Sequence, residues 1–221
     1  VAGAKTGYHH GDLRAALIEA GLHLTRTGGP EALTIREATR RAGVSPNAAY
    51  RHFADREALL GAVAIAIQDR MAARMLELGS QRGSAQTRAR NQLRAVGLGY
   101  IEFALDEPGW FAVAFFGSSA RLDGGEPKLG PPHEPSGSDL TAVGDEWTAP
   151  PFRALVDALD AMTDAGVLSP NRRAGAEWPC WSAAHGFAEL ALRGPLQGSS
   201  RRELETLARR TVDDVIAGLV G

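Results

Sequence analysis

Apolar positions recur along this chain at the three-to-four-residue spacing of amphipathic helices, and the breaks between runs carry proline, glycine and capping residues. Asp12 to Thr27 puts Leu13, Leu17, Ala20 and Leu24 on one face and is stopped by Gly28, Gly29 and Pro30. Thr34 opens a second helix. Its hydroxyl is expected to accept from a free backbone amide while Glu37, three residues on, reaches back to the Thr34 N–H. Ile35, Ala38 and Ala42 supply the buried stripe, and Gly43 ends the helix in a left-handed turn. Ser45 with Pro46 starts a third helix that runs to about His52 and Phe53, because proline lacks an N–H where no helical partner exists. Asp55 caps a fourth, from about Arg56 to Leu78, with Leu59, Leu60, Val63, Ile67, Met71 and Met75 along its apolar face.

The later signals are looser. Ala85 to Asp106 reads as a helix through Leu93, Val96, Tyr100, Ile101 and Leu105, and Pro108 starts a short apolar one from Gly109 to Gly117. Residues 118–146 are rich in Gly, Pro and Ser and are expected to form a mobile loop. Pro150 and Pro151 open a helix to about Ala165, followed by helices over Ala174 to Leu192 and Ser200 to Leu219. No strand pattern or internal repeat is present. The expected fold is all-α, with about nine helices.

Composition changes this picture in three places. With 221 residues, 44% of them apolar, the chain can bury a sizeable core. Its net charge of -2 excludes a protein that coats nucleic acid by charge alone, yet the charge is uneven. Residues 1–60 hold 8 basic and 6 acidic residues, whereas 61–221 hold 16 and 20. A small nucleic-acid-contacting head on an acidic body fits that split. The single cysteine, Cys180, rules out an internal disulfide and a thiolate zinc site. The longest apolar run, Trp110 to Phe116, is too short to cross a membrane. The chain opens at Val1 without a leader-like segment, so no membrane partner and a cytoplasmic location are expected.

The informative spacing is the pair of short helices joined by Gly43-Val44, the arrangement of a helix-turn-helix DNA reader. A helix as short as the second is unstable alone, so Val44, Ala49 and Phe53 are expected to hold it while its other face points outward. Asn47 and Ala48 suit close approach to base edges, and Tyr50, Arg51 and His52 suit phosphate oxygens. Packed helices with a glycine turn are the alternative reading of the same pattern.

The stretch "GGPEALTIREATRRAGVSPNAAYRHFADREALLGAV", with the preceding "HHGDLRAALIEAGLHLTRT", resembles the N-terminal domain of the TetR/AcrR family of transcriptional regulators. The resemblance implies a homodimer with a three-helix DNA-binding head, here residues 1–56, and a helical effector-binding and dimerisation body, residues 57–221. It assigns Thr34 and Arg36 to the start of the second helix at the groove edge. Ser45, Pro46, Asn47 and Ala48 open the recognition helix, Tyr50 and His52 match backbone contacts, and Arg56 matches a basic residue that often holds a phosphate. The family usually carries glycine or proline at the Asn47 position, threonine or serine at Ala48 and a larger aliphatic residue at Ala49. The operator therefore cannot be carried over from a relative. Less apolar filling behind the recognition helix is also expected.

Further along, "CWSAAHGFAELAL" resembles a Trp…His-Gly signature of one C-terminal subtype, carried by Trp181, His185 and Gly186. Trp181 and His185, four residues apart, share one helix face. They suit a packed pair, a ligand contact or, as a remaining alternative, metal binding or catalysis. Among the many aromatics of the body, Phe111, Phe115, Phe152, Trp181 and His185 are the expected ligand-binding set, and a small, largely apolar or aromatic effector is the expected partner. The last two helices are expected to pair two protomers in an isologous four-helix bundle, so that the heads reach successive half-sites of a double-stranded, near-palindromic operator. No cofactor, metal site or catalytic residue is expected, since no metal-binding His-Glu-x-x-His helix, phosphate loop or nucleophile elbow occurs. A DNA-independent helical interaction protein and a small-molecule enzyme are the rival classes.

Overall fold

The computed structural model of the protein describes residues 10–77, 79, 82–116 and 149–221. These hold ten α-helices and a 3₁₀ turn (Pro30–Ala32), without a strand among the described residues. The helices are α1 (His10–Gly28), α2 (Ile35–Ala42), α3 (Pro46–Ala49), α4 (Arg56–Glu77), α5 (Ala85–Asp106), α6 (Pro108–Phe116), α7 (Pro150–Asp164), α8 (Pro170–Arg173), α9 (Glu177–Arg193) and α10 (Arg201–Val220). The all-α expectation holds. The loop expected over 118–146 lies outside the described residues.

Two compact units divide the chain. The first takes the described residues up to Ile67 and those from Glu107 to Phe116; the second takes Gln68 to Asp106 and the residues from Ala149 onward. In the first unit Leu17, Leu22, Leu33, Leu59, Leu60 and Ile67 are fully buried. A side chain at Gly21 would run into Val63, so α1 and α4 approach closely there. The stripe of α1 differs from its expected course at one end. Leu24 is only half-buried, while Thr25 is buried and returns its hydroxyl to the Gly21 carbonyl at 2.8 Å. The reason is α6, which seats on this end of α1. The Trp110 indole N–H donates to the Leu22 carbonyl at 2.7 Å, and Gly109 lies under the Thr25 and Arg26 carbonyls, where a methyl group would not fit. Arg26 stacks over the Trp110 ring at 5.2 Å and pairs with Glu107 at 2.7 Å. Helix α6 thus packs with the N-terminal helices, although a division after residue 56 places it with the C-terminal ones.

In the second unit α5 packs against α7, α9 and α10. Two glycines of α5 make room: Gly99 abuts the Met75 backbone and Gly97 meets the methyls of Val212. The sequence pattern predicts one helix from Ala174 and does not predict α8. The observed α9 starts at Glu177 because Gly175 turns the chain with φ +73°, a conformation that glycine adopts without strain. Arg173 of α8 ties its neighbours together, reaching Asp160 at 2.7 Å and the buried Glu177 at 2.9 Å. Ser200 opens α10 with a complete capping box: Glu203 N–H donates to its hydroxyl at 3.3 Å, and its own N–H donates to the Glu203 carboxylate at 2.8 Å.

Candidate nucleic-acid interface and apolar cavity

The joint between α2 and α3 is built from caps. Thr34 Oγ1 accepts from the Glu37 amide at 3.1 Å. The return half of the expected box is not made, because the Glu37 carboxylate turns to Arg40, whose guanidinium holds it below the usual carboxylate range. Gly43 takes φ +70° and its N–H donates to the Arg40 carbonyl at 3.3 Å; the Val44 N–H donates to Thr39 O at 3.0 Å. Ser45 Oγ accepts from the Ala48 amide at 3.3 Å, with Pro46 in the first turn. Helix α3 is shorter than expected. It ends at Ala49, and Tyr50 to His52 continue as turns, with the Phe53 N–H donating to Ala49 O at 3.0 Å. Past Ala49 the bonding tightens, with Arg51 N–H donating to Ala48 O at 3.4 Å and His52 N–H to Ala49 O at 2.9 Å. Phe53 enters the core and Asp55 at once caps α4, accepting from Ala58 N–H at 2.8 Å. Ala49 is fully buried, Val44 half-buried, and Arg14 covers the Phe53 ring at 5.4 Å.

Around this scaffold Thr34, Arg36, Ser45, Pro46, Asn47, Tyr50 and Arg51 are exposed, and Ala48 and His52 are half-buried. Tyr50 keeps 55% of its surface in solvent, so its ring is free to meet a partner. Residues 34–52 carry Arg36, Arg40, Arg41 and Arg51 against Glu37 alone, in a chain that is negative overall. The side chains of Arg36, Asn47, Tyr50 and Arg51 make no hydrogen bond or ion pair among the described residues. Arg56 differs from them. Half-buried at the start of α4, it donates to Leu33 O at 2.7 Å, to Pro30 O at 2.6 Å and to the Glu57 carboxylate.

The second unit holds a small, partly open apolar cavity of about 30 Å³ lined by residues of α4, α5, α7, α9 and α10. Met75, Leu93, Val96, Leu155, Val212 and Ile216 form most of its wall. Tyr100, Cys180 and Trp181 are its lining residues with polar side-chain atoms. Burial pushes the thiol up to about 11, so Cys180 behaves as a small apolar group rather than a nucleophile. Three members of the expected ligand set gather here. Trp181 lines the cavity, Phe152 meets its ring at 5.4 Å, and His185 stacks on it with an interplanar angle of 10°. The other two lie in the first unit: Phe111 is fully buried and Phe115 half-buried, with ring centroids 5.1 Å apart. Tyr100, absent from the expected set, is nearly buried and meets Trp181 edge-on at 5.1 Å.

Tyr100 also pairs with His185. Its hydroxyl lies 2.7 Å from His185 Nδ1. Burial, with Glu189 nearby, raises the phenol far above its ordinary value, so it stays protonated. A protonated hydroxyl can donate to a bare Nδ1 or accept from Nδ1–H, so the contact serves either neutral tautomer of the histidine. Burial also lowers the His185 pKa, outweighing Glu189. As pH falls through the ordinary histidine value of about 6.5, the unfolded chain takes up a proton that folded His185 still refuses. The stability linked to neutral His185 is therefore present above that value and is lost progressively below it. Denaturant midpoints at pH 7.5, 6.5 and 5.5 should fall faster for the native chain than for His185→Asn. Equal slopes would show that this ring does not titrate against folding.

Comparison with known proteins agrees with this architecture. The description "Tetracyclin repressor-like, C-terminal domain" matches residues 93–215, and "Bacterial regulatory proteins, tetR family" matches residues 17–63. No curated protein matches the chain. Among solved structures, a protein with unknown function from Rhodococcus sp. RHA1 is 24% identical, with a TM-score of 0.65, over 98% of this chain and 100% of that one. A TetR-family transcriptional regulator from Pectobacterium atrosepticum is 20% identical, with a TM-score of 0.61, over 98% of each chain. A TetR variant from Acinetobacter baumannii AYE, in complex with minocycline, is 18% identical, with a TM-score of 0.55, over 92% of this chain and 94% of that one. Head and body together define the fold of ligand-responsive, helix-turn-helix regulators. The chain belongs to the TetR family of bacterial regulatory proteins, which are DNA-binding proteins and not enzymes. Among the described residues, no helix is long and apolar enough to cross a membrane.

Proposed function

We propose that this chain is a transcriptional repressor that binds a near-palindromic operator as a homodimer and is released by a small, largely apolar effector. One observation carries the DNA-reading part. Arg36, Asn47, Tyr50 and Arg51 stand exposed, their side chains making no hydrogen bond or ion pair among the described residues, on a basic segment whose caps and buried Ala49 and Phe53 hold it in place. In this reading Thr34, Arg36, Tyr50, Arg51 and His52 contact the phosphate backbone or groove edge. Ser45, Pro46, Asn47 and Ala48 approach the bases. Asn47, with a donor and an acceptor, is the base-reading residue. Repression needs no further surface, because a dimer seated on its operator blocks polymerase.

For the effector, the cavity supplies apolar walls and few hydrogen-bonding atoms, which favours an uncharged molecule. Trp181 is the direct contact in this reading, with Phe152 and His185 supporting its ring. The Trp…His-Gly subtype is part of the same proposal, supported by the stack of Trp181 on His185. For the dimer, Trp178 and Leu190 of α9 and Leu207 of α10 are large apolar side chains left 40–51% exposed, an arrangement that suits pairing of α9 and α10 across a two-fold axis.

The test is selection of bound duplexes from a random pool. It should return a site with two-fold symmetry. On that site, Asn47→Ala should reduce discrimination at one or two base pairs per half-site by roughly 1–3 kcal/mol. Tyr50→Phe should weaken matched and mismatched duplexes alike. A pool that returns no preferred sequence removes operator reading, and equal losses for Asn47→Ala on matched and mismatched duplexes remove its base contact.

A further inference from the structure

We infer that Arg56 is a positioning residue that sets the entry of α2, and not a ligand of a DNA phosphate. The inference rests on the DNA-reading role proposed above. It departs from the expectation that a basic residue at the head of α4 holds the backbone.

The geometry makes the case through donor use. Arg56 has five N–H donors in a rigid fork. Its Nε donates to the Leu33 carbonyl at 2.7 Å, Nη2 to the Pro30 carbonyl at 2.6 Å and Nη1 to the Glu57 carboxylate. Each of its three nitrogens is thus engaged, by three of the five donors. The side chain is 31% exposed, which places it among the half-buried residues. The two carbonyls bracket the turn that leads into α2: Pro30 begins the 3₁₀ turn and Leu33 ends it. Leu33 is fully buried and is followed directly by Thr34, the N-cap of α2. One planar group therefore pins both ends of this turn to the first residue of α4. The register of Thr34 and Arg36 against the recognition segment follows from that pin. A phosphate would find only the two remaining Nη hydrogens of a guanidinium already held by charge-assisted hydrogen bonds, and Glu57 beside it disfavours an anion.

A lysine cannot reproduce the function, because an ammonium is a compact group without the fork that spans two carbonyls. This separates positioning from charge. The full-length protein is titrated onto its selected duplex between 50 and 200 mM salt, comparing the native chain with Arg56→Ala, Arg56→Lys and Arg36→Ala. The slope of log affinity against log salt is about 0.9 per phosphate neutralised, so losing one phosphate contact in each half of a dimer flattens it by about 1.8. Both Arg56 variants should bind at least tenfold more weakly with the slope unchanged, whereas Arg36→Ala should flatten it. Hydrogen exchange should quicken over residues 30–37 in both Arg56 variants and stay as in the native chain over α1 and the later part of α4.

A flattened slope in Arg56→Ala, restored by Arg56→Lys, would make Arg56 a phosphate ligand and overturn the inference. So would undiminished binding by both variants. Loss of helical circular dichroism in both would make the residue a general determinant of folding, which also overturns it. Should the native chain select no duplex, the operator reading fails, while exchange over residues 30–37 still decides whether Arg56 holds the turn.

Discussion

Replacing Trp181 by alanine is expected to destabilise the second unit by about 3 kcal/mol, the lower end for removing a large aromatic ring because this one is only half-buried. The ring touches three others: Tyr100 edge-on at 5.1 Å, Phe152 at 5.4 Å and His185 in a parallel stack. Its loss also removes part of the cavity wall, so the space grows and the fit to a small apolar molecule worsens. Urea denaturation followed by far-ultraviolet circular dichroism reads the stability. Binding of apolar effector candidates at a temperature where the variant stays folded reads the cavity. A loss below about 1 kcal/mol would mean that the surrounding rings collapse into the gap, and the cluster would then be a poor candidate for a preformed ligand wall.

Operator affinity should fall by about two orders of magnitude when salt rises fourfold. The estimate counts only Arg36 and Arg51 of each protomer, hence about four phosphates per dimer and a log–log slope of about -3.6. Neither side chain makes a hydrogen bond or ion pair among the described residues, so both are available for phosphate without breaking one. Arg40, held by Glu37, is left out for the converse reason. Fluorescence anisotropy on the selected duplex at 50, 100 and 200 mM salt provides the slope. A slope near zero would show that these arginines do not meet the DNA backbone, and the assignment of the α2–α3 face would fail with it.

Much of the head was legible because its signals are local. Ser45-Pro46, Thr34 and Gly43 each act within one turn of chain, and the structure shows each in its expected capping or turn role. The stripe of α4 was equally plain, since Leu59, Leu60, Val63, Ile67, Met71 and Met75 are all buried. What escaped depends on long-range partners. The Glu37 side chain had two possible uses, and a guanidinium three residues away prevailed over the Thr34 amide. Helix α8 is a four-residue turn marked only by Ser169-Pro170, a start signal too short for any periodicity to support. The resemblance gives Arg56 a phosphate, and nothing in its local sequence reveals that the Pro30 and Leu33 carbonyls lie within reach.

The ligand set shows the same division. Phe152, Trp181 and His185 come together because two of them share one helix and α7 packs on α9. Phe111 and Phe115 belong to a helix whose docking is decided by Gly109 and Trp110, neither of which announces its partner. Tyr100 did carry a signal. The run Gly97-Leu98-Gly99-Tyr100 places two residues without side chains beside a large ring on one helix, a pattern that marks close approach of neighbours and space next to the ring.

The seat of α6 on α1 bears on how the protein is born. The first unit is discontinuous in sequence: α1 leaves the ribosome early, but the indole that donates to Leu22 follows 88 residues later. Until then the surface that Trp110 covers remains open, so the nascent head completes its packing only after α5 has been made. A fragment cut after α4 would keep every DNA-facing residue and still lack this cover. Long-range closure of this kind slows assembly and leaves apolar surface exposed meanwhile, to be met by chaperones or by other unfinished chains.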